Sequence, residues 1–244
     1  MADHPRPMCL RTRHFLSPGE EIEPGLWRCR GRLDCPGGHD YRLATGDDEP
    51  RAIVDGALAY ARTRFDDQPR QPITVWHSPG AGELPESTHG PSGEPAIYLM
   101  HSTPDQGTYQ AGHEVFHALF TPVAIHHWVH EMLAVAFALD LLAAKGFDRY
   151  RQSTIDDHDR AAVNVALDEL VAVVEFPYPP GTYARASVFG RQLVSLVGPE
   201  RFFDLRGSWN AQTGKPDYWS WLDGLPGEIR SDVVAAGPAG QREL

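Results

Sequence analysis

Between residues 50 and 66, apolar side chains fall at Ile53, Val54, Ala57, Leu58, Ala61 and Phe65, behind the acidic opening Asp47-Asp48-Glu49-Pro50. That spacing sets them on one face of a 3.6-residue repeat and predicts an amphipathic helix. The string QPITVWHS, ending at Ser78, reads as a strand from Ile73 onward, and IYLMHS, residues 97–102, as another. The Gly/Pro/Ser-rich connection between them is long enough to be functional. Thr103-Pro104-Asp105-Gln106 has the form of a capping box with proline at the first helical position, and opens a helix that Pro122 closes. Residues 127–145, HWVHEMLAVAFALDLLAAK, are apolar around much of a helical circumference and are followed by Gly146, which predicts a buried helix with a glycine cap. Helices are also expected over about 158–174, 182–196 and 199–206, followed by an aromatic tail with Trp209, Tyr218, Trp219 and Trp221. Residues 1–48 offer only short apolar runs among Pro, Gly and Arg, such as His14-Phe15-Leu16, Leu26-Trp27 and Tyr41-Arg42-Leu43. They predict isolated strands or loops, and no internal repeat is visible.

Composition narrows the class. With 244 residues, 41% of them hydrophobic, the chain has material for a substantial core. The N-terminal string MADHPRPMCLRTRHF has no apolar run of signal-peptide length, and no stretch approaches a membrane span, so a cytoplasmic protein is expected. Three cysteines fit a reducing compartment better than a disulfide scaffold. The net charge of −11 argues against nucleic acid as a partner, because phosphate binding needs a basic surface.

The candidate chemistry lies in YQAGHEVFHALFTP, residues 109–122. On a helix, His113 and His117 project from one face a single turn apart, and two imidazoles so placed can grip one zinc ion. Glu114 then lies close enough to act as general base towards a water at the metal. A third protein ligand is sought among His126, His127, His130 and Glu131. The metzincin pattern is excluded, since its glycine and third histidine would fall at Phe120 and Val123. Glu131 is the better choice, because a carboxylate in so apolar a helix is expensive unless paired or bound to metal.

The string WVHEMLA, residues 128–134, resembles the W-L-N-E-G-L-A segment carrying the glutamate ligand in gluzincin zinc metallopeptidases, notably the zinc aminopeptidases. Trp128, Glu131, Leu133 and Ala134 match. The strand, helix and strand order of 41–65 and 73–75 is similar to the start of a minimal gluzincin domain, with 97–100 in the place of its edge strand. YARASVFGRQLVSLVGPERFFDL, 183–205, resembles a helix these proteins often carry, with a tyrosine near its start. The resemblance spans about 40–206. It implies an α+β, zincin-like domain: a small mixed sheet whose edge strand packs on the HExxH helix, then a helical C-terminal half. The implied division is an irregular segment at 1–45, a catalytic domain at 46–206 and a packing tail at 207–244.

The resemblance further implies a zinc metallopeptidase that cleaves a peptide or small amide. Its metal ligands are His113, His117 and Glu131; Glu114 is the general base and Tyr183 an oxyanion donor, with Arg185 a weaker candidate. An extended peptide would add to the edge strand at 97–100. Two departures matter. The interval Ala118 to His130 is shorter than in the aminopeptidases, and their Gly-x-Met-Glu-Asn motif has only a loose echo in GAGEL, 80–84, so exopeptidase specificity through Glu83 does not follow. A zinc enzyme acting on a non-peptide small molecule, and a binding module without turnover, stay open as alternatives. Substrate identity and oligomeric state are not encoded legibly. His126, His127 and His130 are expected to rim the cleft, and the aromatic tail to serve packing. CRGRLDC, 29–35, with Cys9, His14 and His39, lacks a specific C-x2-C spacing and is read as thiols in an irregular segment, a second zinc site being the alternative.

Overall fold

The structure is a computed structural model and describes residues 5–31, 35–66, 69, 71–79, 85–120, 127–171, 181–210 and 215–237. It is mixed α+β, and the chain divides into two compact units, Met1–Leu119 and Phe120–Leu244.

In the first unit, β1 (Met8–Cys9) and β2 (His14–Phe15) form a small antiparallel hairpin. Strands β3 (Glu21–Glu23), β4 (Leu26–Arg28) and β5 (Asp40–Leu43) come next, then helix α1 (Glu49–Phe65). β6 (Thr74–His77), β7 (Glu86–His89) and β8 (Pro95–Leu99) complete a six-stranded sheet in the order β3-β4-β5-β6-β8-β7. Only β6 and β8 run parallel, with Val75 opposite Ile97 and Trp76 opposite Tyr98.

Two expectations change here. The apolar runs at Leu26-Trp27 and 41–43 are not isolated: Trp27 pairs with Tyr41, and Arg42 with His77, so both join the main sheet. Those pairings are non-local, and a three-residue strand carries too little alternation to announce them. The strand expected at 97–100 as an edge is instead flanked by β6 and β7. Among the described residues the edge on that side of the sheet is β7, β3 being the other edge, and the Glu-Ser-Thr-His composition of β7 has no apolar alternation to mark it as a strand.

The sheet core is aromatic. Trp27, Tyr41, Trp76 and Tyr98 are all buried; Tyr41 and Tyr98 meet edge to face with centroids 6.0 Å apart. The Met8 N–H donates to the Tyr98 hydroxyl at 2.6 Å, which ties the small hairpin to this core.

Helix α2 (Pro104–Phe120) begins at the expected proline. The Thr103 carbonyl accepts the Gly107 N–H at 2.9 Å. The box closes differently from the expectation: Gln106 accepts from the Ser102 N–H at 2.9 Å, and the Thr103 hydroxyl bonds to Asp105. Gln110 accepts from the Met100 N–H at 2.9 Å, fastening α2 to the end of β8, while Phe116 meets Phe65 of α1 at 6.2 Å. Pro122 lies outside the described residues.

The second unit contains α3 (Trp128–Ala144), α4 (Asp148–Ala162), α5 (Leu167–Val171), α6 (Thr182–Val197) and α7 (Pro199–Asp204). A two-stranded pair, β9 (Trp209–Asn210) and β10 (Lys215–Pro216), then leads to α8 (Tyr218–Asp223) and α9 (Gly227–Ala236). Gly146 closes α3 at φ +75°, with the Phe147 N–H donating to the Leu142 carbonyl at 2.9 Å. The helix expected at about 158–174 is replaced by α4, which starts ten residues earlier, at 148, and by the short α5. Within α4 only Ile155 and Ala162 are buried, so its apolar stripe is too thin to read from sequence.

Helix α6 packs against α3 and α4. A Cβ at Gly190 would come 2.9 Å from the Met132 Cγ, so the glycine permits the close approach of α6 to α3. His158 Nδ1 and Ser187 Oγ, 2.8 Å apart, join α4 to α6. Trp128, Phe189, Tyr218 and Trp221 form a ring cluster; Tyr218 and Trp221 are buried in it, as expected of an aromatic tail that packs. Among the described residues, no helix is long and apolar enough to cross a membrane.

Candidate metal centre

Among the described residues of the first unit, three sets of side chains can offer a metal ion ligand atoms: the pair His113 and His117; Cys9, Cys29 and Cys35; and His14, Glu20 and Cys29.

The first contains the HExxH pair. Both histidines belong to α2, and their Nε2 atoms are 3.1 Å apart with the rings edge to face. Two nitrogens on a tetrahedral zinc, each 2.0–2.1 Å from it, would be about 3.3 Å apart. The pair is therefore close to ligand spacing within a single helix. His113 is 8% exposed and Glu114 4%, whereas His117 is half-buried. Neighbouring Ala111, Val115 and Phe116 are also buried, so the polar residues of α2 sit in an apolar setting.

Glu131 lies in the first turn of α3, 4% exposed between buried Val129, Met132, Leu133 and Val135. The helix N-terminus favours a carboxylate there, and the apolar surroundings make an uncompensated charge costly. Two imidazoles and one carboxylate are the donor types of a catalytic zinc site.

The other sequence candidates fall in varied places. His127 is the N-cap of α3, its Nδ1 accepting from the Val129 N–H at 3.3 Å. His130 is 3% exposed, buried in α3, so it does not sit on an exposed rim. Tyr183 is half-buried in the first turn of α6, which begins where expected after Gly181 at φ +84°. Arg185, one turn position further, keeps its Nε buried with no hydrogen-bond partner among the described residues. His126 and Glu83 with its neighbours 80–84 lie outside the described residues.

Sequence reasoning set aside the cysteines, and the fold gathers them. Cys9, Cys29 and Cys35 are buried free thiols whose ligand atoms lie within 4.8 Å of one another. Burial pushes the Cys29 thiol up to about 12, the neighbouring thiols adding to the rise. For Cys9, burial also acts upward, but hydrogen bonds with Thr12 outweigh it and hold the thiol below its ordinary value. No local spacing signal announces this group, because Cys9 comes from a different hairpin.

Comparison of the chain with family models, with curated proteins and with solved structures finds no match.

Proposed function

We propose that this protein is a zinc-dependent hydrolase of gluzincin type, cleaving a peptide or small amide bond. The observation that carries the reading is the pair of imidazole nitrogens 3.1 Å apart on α2, with Glu114, next in sequence to His113, also buried. The resemblance of WVHEMLA to the gluzincin glutamate segment supports Glu131 as third ligand, and its buried place in an apolar helix agrees with that role. The sheet and the HExxH helix of the first unit are taken as a zincin-like arrangement.

His113, His117 and Glu131 would hold the zinc, which when bound supplies Lewis-acid polarisation of the scissile carbonyl and activation of water. Glu114 takes a proton from the attacking water and passes it to the leaving amine. Tyr183 donates a hydrogen bond to the carbonyl oxygen as negative charge develops there.

Metal analysis and turnover on the full chain test this together. Wild type should bind zinc and hydrolyse members of a peptide library. Glu114→Gln should keep the metal and lose activity by orders of magnitude, since an amide cannot act as base. Glu131→Ala should lose tight binding at this site. Wild type that cleaves no peptide or amide with its zinc restored, or a Glu114→Gln variant that turns over at the wild-type rate, would overturn the mechanism.

A further inference from the structure

We propose that Cys9, Cys29, Cys35 and His14 form a structural zinc site in the N-terminal segment, chemically distinct from the His113 and His117 pair. The three thiols converge from separate places in the chain, and Cys29 is the one near which a His14 ring nitrogen also lies. Cys9 belongs to β1, Cys29 directly follows β4, and Cys35 lies six residues further along the chain. Cys35 Sγ is 3.8 Å from both Cys9 Sγ and Cys29 Sγ. Sulfurs bound to a tetrahedral zinc at about 2.3 Å would be about 3.8 Å apart, whereas a disulfide needs about 2.05 Å. An odd number of thiols meeting at one point also leaves any disulfide pairing incomplete.

His14 supplies the fourth donor. It is the cross-strand partner of Cys9 in the β1–β2 hairpin, and a ligand atom of its ring lies within 4.8 Å of Cys29. Its Nδ1 is 2.7 Å from the Thr12 hydroxyl, while its Nε2 is buried with no hydrogen-bond partner among the described residues. With Nδ1–H donated to Thr12, the Nε2 lone pair is left for a metal, the arrangement in which an outer partner fixes the tautomer of a histidine ligand. Glu20, also near, is already engaged: its carboxylate accepts from the Ser17 N–H and hydroxyl, both at 2.8 Å, and from the Arg30 N–H at 3.0 Å.

The described backbone beside two of the thiols is drawn tightly together. Gly31 at φ +88° and Gly37 at φ +77° fold it so tightly that a Cβ at Gly37 would meet the Arg30 carbonyl carbon at 2.7 Å. The Gly37 N–H then donates to Cys35 Sγ at 3.4 Å. Three thiolates and one imidazole select zinc, and four protein ligands leave no open position, so the role is structural. The need is evident in the elements around it, strands of two to four residues that cannot hold one another by pairing alone.

Cobalt substitution of the full-length protein tests this independently of the proposed hydrolase site, which contains no sulfur. Wild type should show a thiolate-to-cobalt charge-transfer band in the near ultraviolet, saturating at one equivalent, and zinc should abolish it. The band should survive in His113→Ala/His117→Ala, and disappear or weaken strongly in Cys29→Ser and Cys35→Ser. His14→Ala should lower cobalt affinity at least tenfold, while His39→Ala should not. Absence of the band from wild type would overturn the proposal without recourse to any variant. A band that persists unchanged in Cys29→Ser would overturn the thiol ligand set, and unchanged affinity in His14→Ala would remove His14 from it.

Discussion

A single hydroxyl on the first turn of α6 separates two accounts of Tyr183. As an oxyanion donor it acts most strongly when charge develops on the substrate oxygen, and loss of one such donor costs about 2.7–4 kcal/mol in the transition state. Tyr183→Phe should therefore lower kcat about a hundredfold or more with little change in KM. A variant with full activity per folded molecule and a shifted melting temperature would make Tyr183 a packing residue. The HExxH residues were legible in the sequence because their geometry is local: a four-residue interval on one helix is enough to bring His113 and His117 to 3.1 Å. The thiols were not legible, since Cys9 is brought to Cys35 by a hairpin anchored through Met8 to Tyr98, and no spacing encodes that contact. The burial of His130 is hidden from the sequence for a related reason. Sequence marks it as polar, but its place on α3 buries it.

At the scale of elements, the entry into α2 rests on a residue with no side chain. A Cβ at Gly107 would lie 2.7 Å from the His101 ring, so the first turn of α2 can settle over that histidine only with glycine there. Alanine would normally stabilise a helix interior by about 0.5–1 kcal/mol relative to glycine. The overlap outweighs this gain, and Gly107→Ala should destabilise by about 1–3 kcal/mol in urea unfolding. Adding His101→Ala should recover part of the loss, a coupling that a double-mutant cycle measures directly. Additive effects would show that the ring and the helix do not press on one another. Elements with a thick apolar stripe or a cap, such as α1, α2 and α3, were legible to within a residue or two. α4 was displaced in the reading because its surface is almost wholly polar, and β7 was missed because an edge strand of Glu, Ser, Thr and His has nothing to alternate.

For the molecule as a whole, His101 links stability to pH in the range above carboxylate titration. It is 1% exposed, and burial first, then the nearby His77, hold its pKa below the ordinary histidine value; Glu49 on α1 pulls the other way and does not prevail. The His77 ring faces it at 4.6 Å between centroids and Glu49 Oε2 lies 3.6 Å from its Nε2, so the opposing influences come from β6 and α1. The native state thus keeps His101 neutral at pH values where the unfolded chain has begun to bind a proton there. Below about 6.5, the ordinary value, the unfolded state binds more protons at this position and gains stability relative to the native one. Stability should accordingly fall as pH drops from 7.5 towards 5.5, with His101 contributing at most about 1.4 kcal/mol per pH unit. Urea midpoints for wild type and His101→Gln, both in chelator so that metal release does not contribute, isolate this part as the difference in their pH slopes. A steeper fall in wild type is the expected result. Parallel slopes would mean that the native protein binds the His101 proton as readily as the unfolded chain, with the Glu49 carboxylate compensating the burial.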